Sequence, residues 1–213
     1  IEEVAQPLEE LRQEVVAEST GPIEGSREVC RAQECEMGNL VADAMLDRVA
    51  DQGVQVAIAN GGGLRASIDE GEITMGEVLT VLPFQNTLST FEVTGETLKA
   101  ALENGMGQFD DPEDDGRFPQ VAGLKFVISP DAPTGERVSE IMVEMDGEWQ
   151  PLDPEATYGM VSNNFVRNGG DGYKMFISAK QAYDFGPDLA DVAAEFIAAN
   201  TPYTPATDGR ITI

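Results

Sequence analysis

The segment Asn60-Gly61-Gly62-Gly63-Leu64-Arg65 directly follows the apolar run Val54-Gln55-Val56-Ala57-Ile58-Ala59. Three consecutive glycines let a chain turn sharply at the end of a buried strand, with its amides exposed and no Cβ in the way. Arg65 adds a planar, permanently charged fork suited to a carboxylate or a phosphate. Three further segments could join it at one place: Arg31 between two cysteines, Phe84 after Pro83, and Asn164-Phe165 leading into Gly169-Gly170-Asp171-Gly172. Singly, each has an ordinary reading: Phe84 and Phe165 as core residues, Arg31 as a surface ion pair, Asp171 as a turn residue. Jointly, they describe a site for an anion or a nucleotide. The chain has no histidine, so such a site lacks the usual equipment for histidine-based or metal-assisted chemistry.

The rest of the composition bounds the problem. A length of 213 residues fits one large domain, or a domain with an appendage, and either can bury a core. Hydrophobic residues make up 41% of the chain, with nine Phe and eight Met, which reads as globular. No stretch has the length of a transmembrane helix and no signal peptide is visible; the start at Ile1 leaves an export signal or a preceding domain as expectations upstream. The net charge is −26 with only 13 basic residues, which disfavours a nucleic acid polymer as partner. It suits the solvated acidic surface of a secreted or salt-tolerant protein.

Cys30 and Cys35 are the only cysteines. With no further Cys or His, a zinc site of that ligand type is excluded. The spacing suits a local disulfide, which would place the protein outside the cytoplasm; two reduced thiols in a cytosolic chain are the alternative.

The elements that must position these residues follow from pattern. Val4, Leu8 and Leu11 suggest a short helix broken at Pro7, followed by a strand near 14–19. Leu40, Val41, Ala44, Met45 and Val49 predict a helix packed on a core, and 54–59 a buried strand. Thr74-Met75-Gly76-Glu77 has capping-box spacing for a helix through Val81, and Thr94 caps another through Leu98, Ala101 and Leu102 to Gly105. Strands are expected at 87–93, 124–129, 138–144 and 158–162, with Asp146-Gly147 as a hairpin turn. Residues 110–116 read as an exposed acidic loop whose spacing does not match a calcium-binding hand. Pro187 opens a last helix bearing Leu189, Val192, Ala193, Phe196 and Ile197. Several strands follow one another through short turns, so the class is α+β.

These motifs occur in a fixed order: Cys30-Arg31-x3-Cys35-Glu36-Met37-Gly38-Asn39-Leu40, Asn60 to Arg65, Leu82-Pro83-Phe84, Gly116-x-Phe118-x-Gln120, Asn164-Phe165-x2-Asn168-Gly169-Gly170-Asp171-Gly172-Tyr173, and Asp208-Gly209-Arg210-Ile211. The ordered set resembles the C-terminal domain of the 5′-nucleotidases, a family that includes UDP-sugar hydrolases, from about residue 14 to the end. The resemblance implies a layered α/β/β/α domain over residues 23–213, preceded by a linker or hinge helix and an incoming strand in residues 1–22. It implies a base sandwiched by Phe84 and Phe165, Asn60 against the base, and Asp171 accepting from ribose hydroxyls. Arg31 and Arg65 would contact phosphate or ribose, with glycine amides such as Gly62 nearby. Two divalent metal ions belong to an N-terminal metallophosphoesterase domain; with no histidine in this chain, that centre is not expected here, and the chain alone is expected to be inactive.

The implied ligand is a nucleoside monophosphate or a nucleoside, in a periplasmic or extracellular enzyme. Alternatives are a UDP-sugar or 2′,3′-cyclic-nucleotide hydrolase, a sulfur-compound hydrolase, or a stand-alone nucleoside-binding module. Two departures stand out: Gln85 where relatives commonly carry glycine, and Arg167 at a position usually small or apolar, read as solvent-facing or as an added anion contact.

Overall fold

The computed structural model describes residues 9–107 and 116–213; the acidic stretch 110–115 and the Pro7 break lie outside the described residues. Residues 9–13 are helical and lead into β1 (Val15–Ser19), which pairs antiparallel with β3 (Gly71–Thr74). Helix α1 (Arg27–Cys30) is one short turn before α2 (Glu36–Arg48).

The central sheet has five strands in the order β10 (Lys180–Tyr183), β4 (Leu88–Thr94), β9 (Thr157–Asn163), β2 (Val56–Asn60) and β5 (Pro119–Ala122). It is mixed, because β2 runs parallel to β9 while the other pairings are antiparallel. Both of its faces are covered, which is why β2 reads as an unbroken apolar run. Ala57 and Ala59 face a core shared with α2, α3 (Met75–Val81) and α6 (Leu189–Ala199). Val56 and Ile58 face a second core. That core is closed by α4 (Gly95–Gly105) and by a four-stranded sheet ordered β11 (Ile211–Thr212), β6 (Leu124–Ile128), β7 (Val138–Met145), β8 (Glu148–Pro151). The domain is therefore α+β with two mixed sheets, as its sequence pattern suggests.

Local signals set several boundaries. Thr74 accepts from the Glu77 N–H at 3.3 Å while the Glu77 carboxylate accepts from the Thr74 N–H at 2.8 Å, a complete capping box for α3. Thr94 caps α4 through the Thr97 N–H. The last helix begins slightly later than expected: Pro187 precedes it and Asp188 caps it, accepting from the Ala190 N–H at 2.8 Å.

One end of the central sheet gathers the chemistry-bearing residues. Strands β2 and β9 run parallel and terminate side by side at Asn60 and Asn163. Their antiparallel neighbours begin at that same end, Leu88 opposite Asn163 and Pro119 opposite Asn60. The segments after β2 and β9 and before β4 and β5 must therefore meet there.

Candidate functional site

Arg31, Asn60, Gly62, Arg65, Phe84, Phe165 and Asp171 line one open cavity of about 470 Å³, together with Gly63, Asn86 and Gly116. All seven residues expected from the sequence are thus brought together. Asn86, Gly63 and Gly116 were not anticipated as cavity lining.

The two phenylalanines are not core residues. Phe84 is 54% and Phe165 45% exposed, whereas Phe91, Phe118, Phe126 and Phe176 are fully enclosed. An apolar ring left in water at a cavity mouth is the informative kind of exposure. Phe84 sits on the segment after α3, and Phe165 belongs to α5 (Asn164–Arg167), the turn that follows β9. Gln85, beside Phe84, takes φ 52, the left-handed conformation that glycine adopts without strain.

Arg31 is not a surface residue either: it lies buried at the end of α1 and reaches the cavity wall. Cys30 and Cys35 form a disulfide around it. Gln120, fully buried on β5, spans that loop. Its carbonyl oxygen accepts from the Cys35 N–H at 3.3 Å, and its amide donates to the Cys30 and Gln33 carbonyls at 2.9 and 2.8 Å. Arg65 is half-buried; its guanidinium lies 5.7 Å from the Phe84 ring centroid and donates to the Gly62 carbonyl at 3.4 Å.

The glycine turn works differently from the expectation of exposed amides. The Gly61 and Gly62 N–H groups donate to the carbonyls of Phe118 and Gly116, at 2.7 and 2.8 Å. The turn is pinned to the segment entering β5, and absence of side chains is what permits the approach: a Cβ on Gly62 would lie 2.7 Å from the Gly116 Cα. In the second cluster Asp171 has φ 50, and Gly169 and Gly172 take φ 90 and 80. Its carboxylate accepts from the Asn60 amide at 2.6 Å, and its backbone carbonyl accepts from the Asn104 amide at 3.1 Å.

Arg167 neither faces solvent nor lines the cavity. It is buried, donating to the Phe176 and Ile177 carbonyls at 2.8 and 3.3 Å, with Asp184 3.5 Å away and the Phe91 ring 5.5 Å from its guanidinium. It fastens the segment after the glycine cluster to the sheet.

A cavity with two exposed aromatic rings, a hydrogen-bonded carboxylate and two arginines is equipped to hold a planar, hydroxylated anion. Among the described residues no helix is long and apolar enough to cross a membrane.

Comparison with known proteins identifies the family. The family model described as 5′-nucleotidase, C-terminal domain matches residues 15–178. The Bacillus subtilis trifunctional nucleotide phosphoesterase protein YfkN is 38% identical over 207 residues, 96% of this chain but 14% of that protein. Human 5′-nucleotidase is 34% identical over 203 residues, 89% of this chain and 35% of its own length. Among solved structures, a 5′-nucleotidase precursor from Thermus thermophilus superimposes with a TM-score of 0.93 at 41% identity, covering 98% of this chain and 41% of that one. The chain thus spans less than half the length of these relatives. It belongs to the 5′-nucleotidase C-terminal domain family.

Proposed function

We propose that this chain is the substrate-binding domain of a 5′-nucleotidase-type phosphomonoesterase, which grips a nucleoside 5′-monophosphate by its base and ribose. The observation that carries the reading is the pair Phe84 and Phe165, both exposed on the wall of one cavity that also holds Asn60 and Asp171. A base offers two π faces, and each stacking partner is worth about 1–3 kcal/mol whatever the base. Asp171 would accept from vicinal ribose hydroxyls. Arg31 and Arg65 would meet the anionic end, offsetting locally the repulsion of a chain with net charge −26.

The residues present do not fit a two-metal hydrolytic centre. The sequence has no histidine, and among the described residues no three His, Cys, Asp or Glu side chains converge as a metal site. The domain contributes orientation and proximity, and the phosphoryl chemistry belongs to a separate metal-dependent domain. In this reading residues 1–22 lead in from that domain, and residues 23–213 form the binding unit. The Cys30–Cys35 disulfide supports a periplasmic or extracellular setting.

Nuclear Overhauser contacts between bound adenosine and the protein test the reading. Base protons should show contacts to the ring protons of both Phe84 and Phe165. Contacts to neither ring in a saturated sample would contradict it.

A further inference from the structure

Asn163 lies beneath the site at the end of β9, 1% exposed, and does not line the cavity. Its side-chain oxygen accepts from the Val166 N–H at 2.9 Å, capping α5. Its amide nitrogen donates to Asn60 Oδ1 at 2.9 Å, and Asn60 Nδ2 in turn donates to Asp171 Oδ2 at 2.6 Å. The two ends of this chain admit one polarity. A backbone N–H can only donate and a carboxylate only accept, so flipping either amide between them would set two acceptors face to face.

From this relay we infer that Asn163 is a positioning residue: it fixes the amide orientation of Asn60 and thereby aims the Asp171 carboxylate at the ligand's hydroxyl groups. Asp171 is held through Oδ2, while Oδ1 has no protein donor among the described residues. Asn60 cannot turn its oxygen toward Asp171 without abandoning Asn163. The helix cap that seats Phe165 and the carboxylate that faces the sugar are thus set by one buried side chain. The inference rests on the nucleotide-binding reading of the cavity and adds a source for its preference for a ribose diol.

Asn163→Asp tests it, because the variant keeps an acceptor for the Val166 N–H but puts a second acceptor against Asn60 Oδ1. Adenosine and 2′,3′-dideoxyadenosine are titrated into the 213-residue chain, N163D and D171A. N163D should bind adenosine about tenfold more weakly, as for a lost hydrogen bond to a charged group. Its affinity for dideoxyadenosine should stay within about twofold of the parent's, and D171A should show the same pattern. Unchanged adenosine affinity in N163D beside a weakened D171A would overturn the role of Asn163 and leave the site intact. Equal losses for both ligands would also overturn it, since they would report general disruption. No effect in D171A would overturn the inference and the ribose contact together. If N163D does not fold, the parent chain answers by NMR: one Asn60 side-chain amide proton should exchange slowly, held on the carboxylate. Two rapidly averaged protons would overturn the relay.

Discussion

The ring of Phe165 rests face-on against Gly170. A Cβ built on that glycine would stand 2.5, 2.5 and 2.6 Å from the ring atoms Cε1, Cζ and Cε2, and such near-equal distances mean it meets the ring face, not its edge. Gly170 is therefore needed less for its own backbone than as the floor on which one face of Phe165 lies. Gly170→Ala should displace the exposed ring at little cost in stability, since the ring is the movable end of a side chain. Its melting temperature should stay near the parent value while nucleoside affinity falls about fivefold to tenfold, roughly half to all of a stacking contact. Parent-like affinity would mean that the ring position does not matter.

Gln120 and the disulfide brace the same loop from two directions. Removing the cross-link as Cys30→Ser/Cys35→Ser should cost about 2 kcal/mol for so short a loop. Gln120→Leu should cost about 3 kcal/mol, because it strips the Cys35 N–H and the Cys30 and Gln33 carbonyls of their partner. Denaturant titration measures both. Both should also weaken AMP more than adenosine, since the loop carries Arg31; equal weakening would argue against an anion contact there.

Tyr203 gives a pH dependence. Burial first, then the nearby Asp43 carboxylate, pushes its phenol from 10.0 up to about 12, against the weaker opposing pull of Arg210. A folded-state value raised above the unfolded one contributes stability that is complete below pH 10 and is lost as pH rises through about 12. Tyr203→Phe should abolish that part of the alkaline loss in denaturation curves between these values. An identical alkaline profile in the variant would refute the assignment.

The local elements were readable because their signals are local. Thr74 and Thr94 announce helix starts through contacts three residues away, and β2 announces itself through burial on both faces. Strand β10 carries no signal, since all four of its residues are exposed at the sheet edge, and β5 is a four-residue edge strand that opens on a proline, a residue depleted in strands. The convergence of the seven site residues was legible only from the ordered motifs, because spacing alone cannot place Arg31 and Asp171 on one cavity. What escaped the sequence was partnership across distance. Gly61 and Gly62 meet Phe118 and Gly116 more than fifty residues on, so their amides looked free. Arg167 looked exposed because nothing in its neighbourhood shows the Phe176 and Ile177 carbonyls turning back to it. Asn163 carries no signal of its own beside Asn164-Phe165, since a capping role and an inward donor are invisible without Asn60 next to it.

The most direct test of the central claim is calorimetric titration of the chain with adenosine and with AMP, no metal added, in the parent, F84A and F165A. The account predicts that adenosine binds without its phosphate and AMP more tightly, each weakened at least about tenfold by either substitution. A folded sample that binds adenosine equally well with and without the two rings would contradict it.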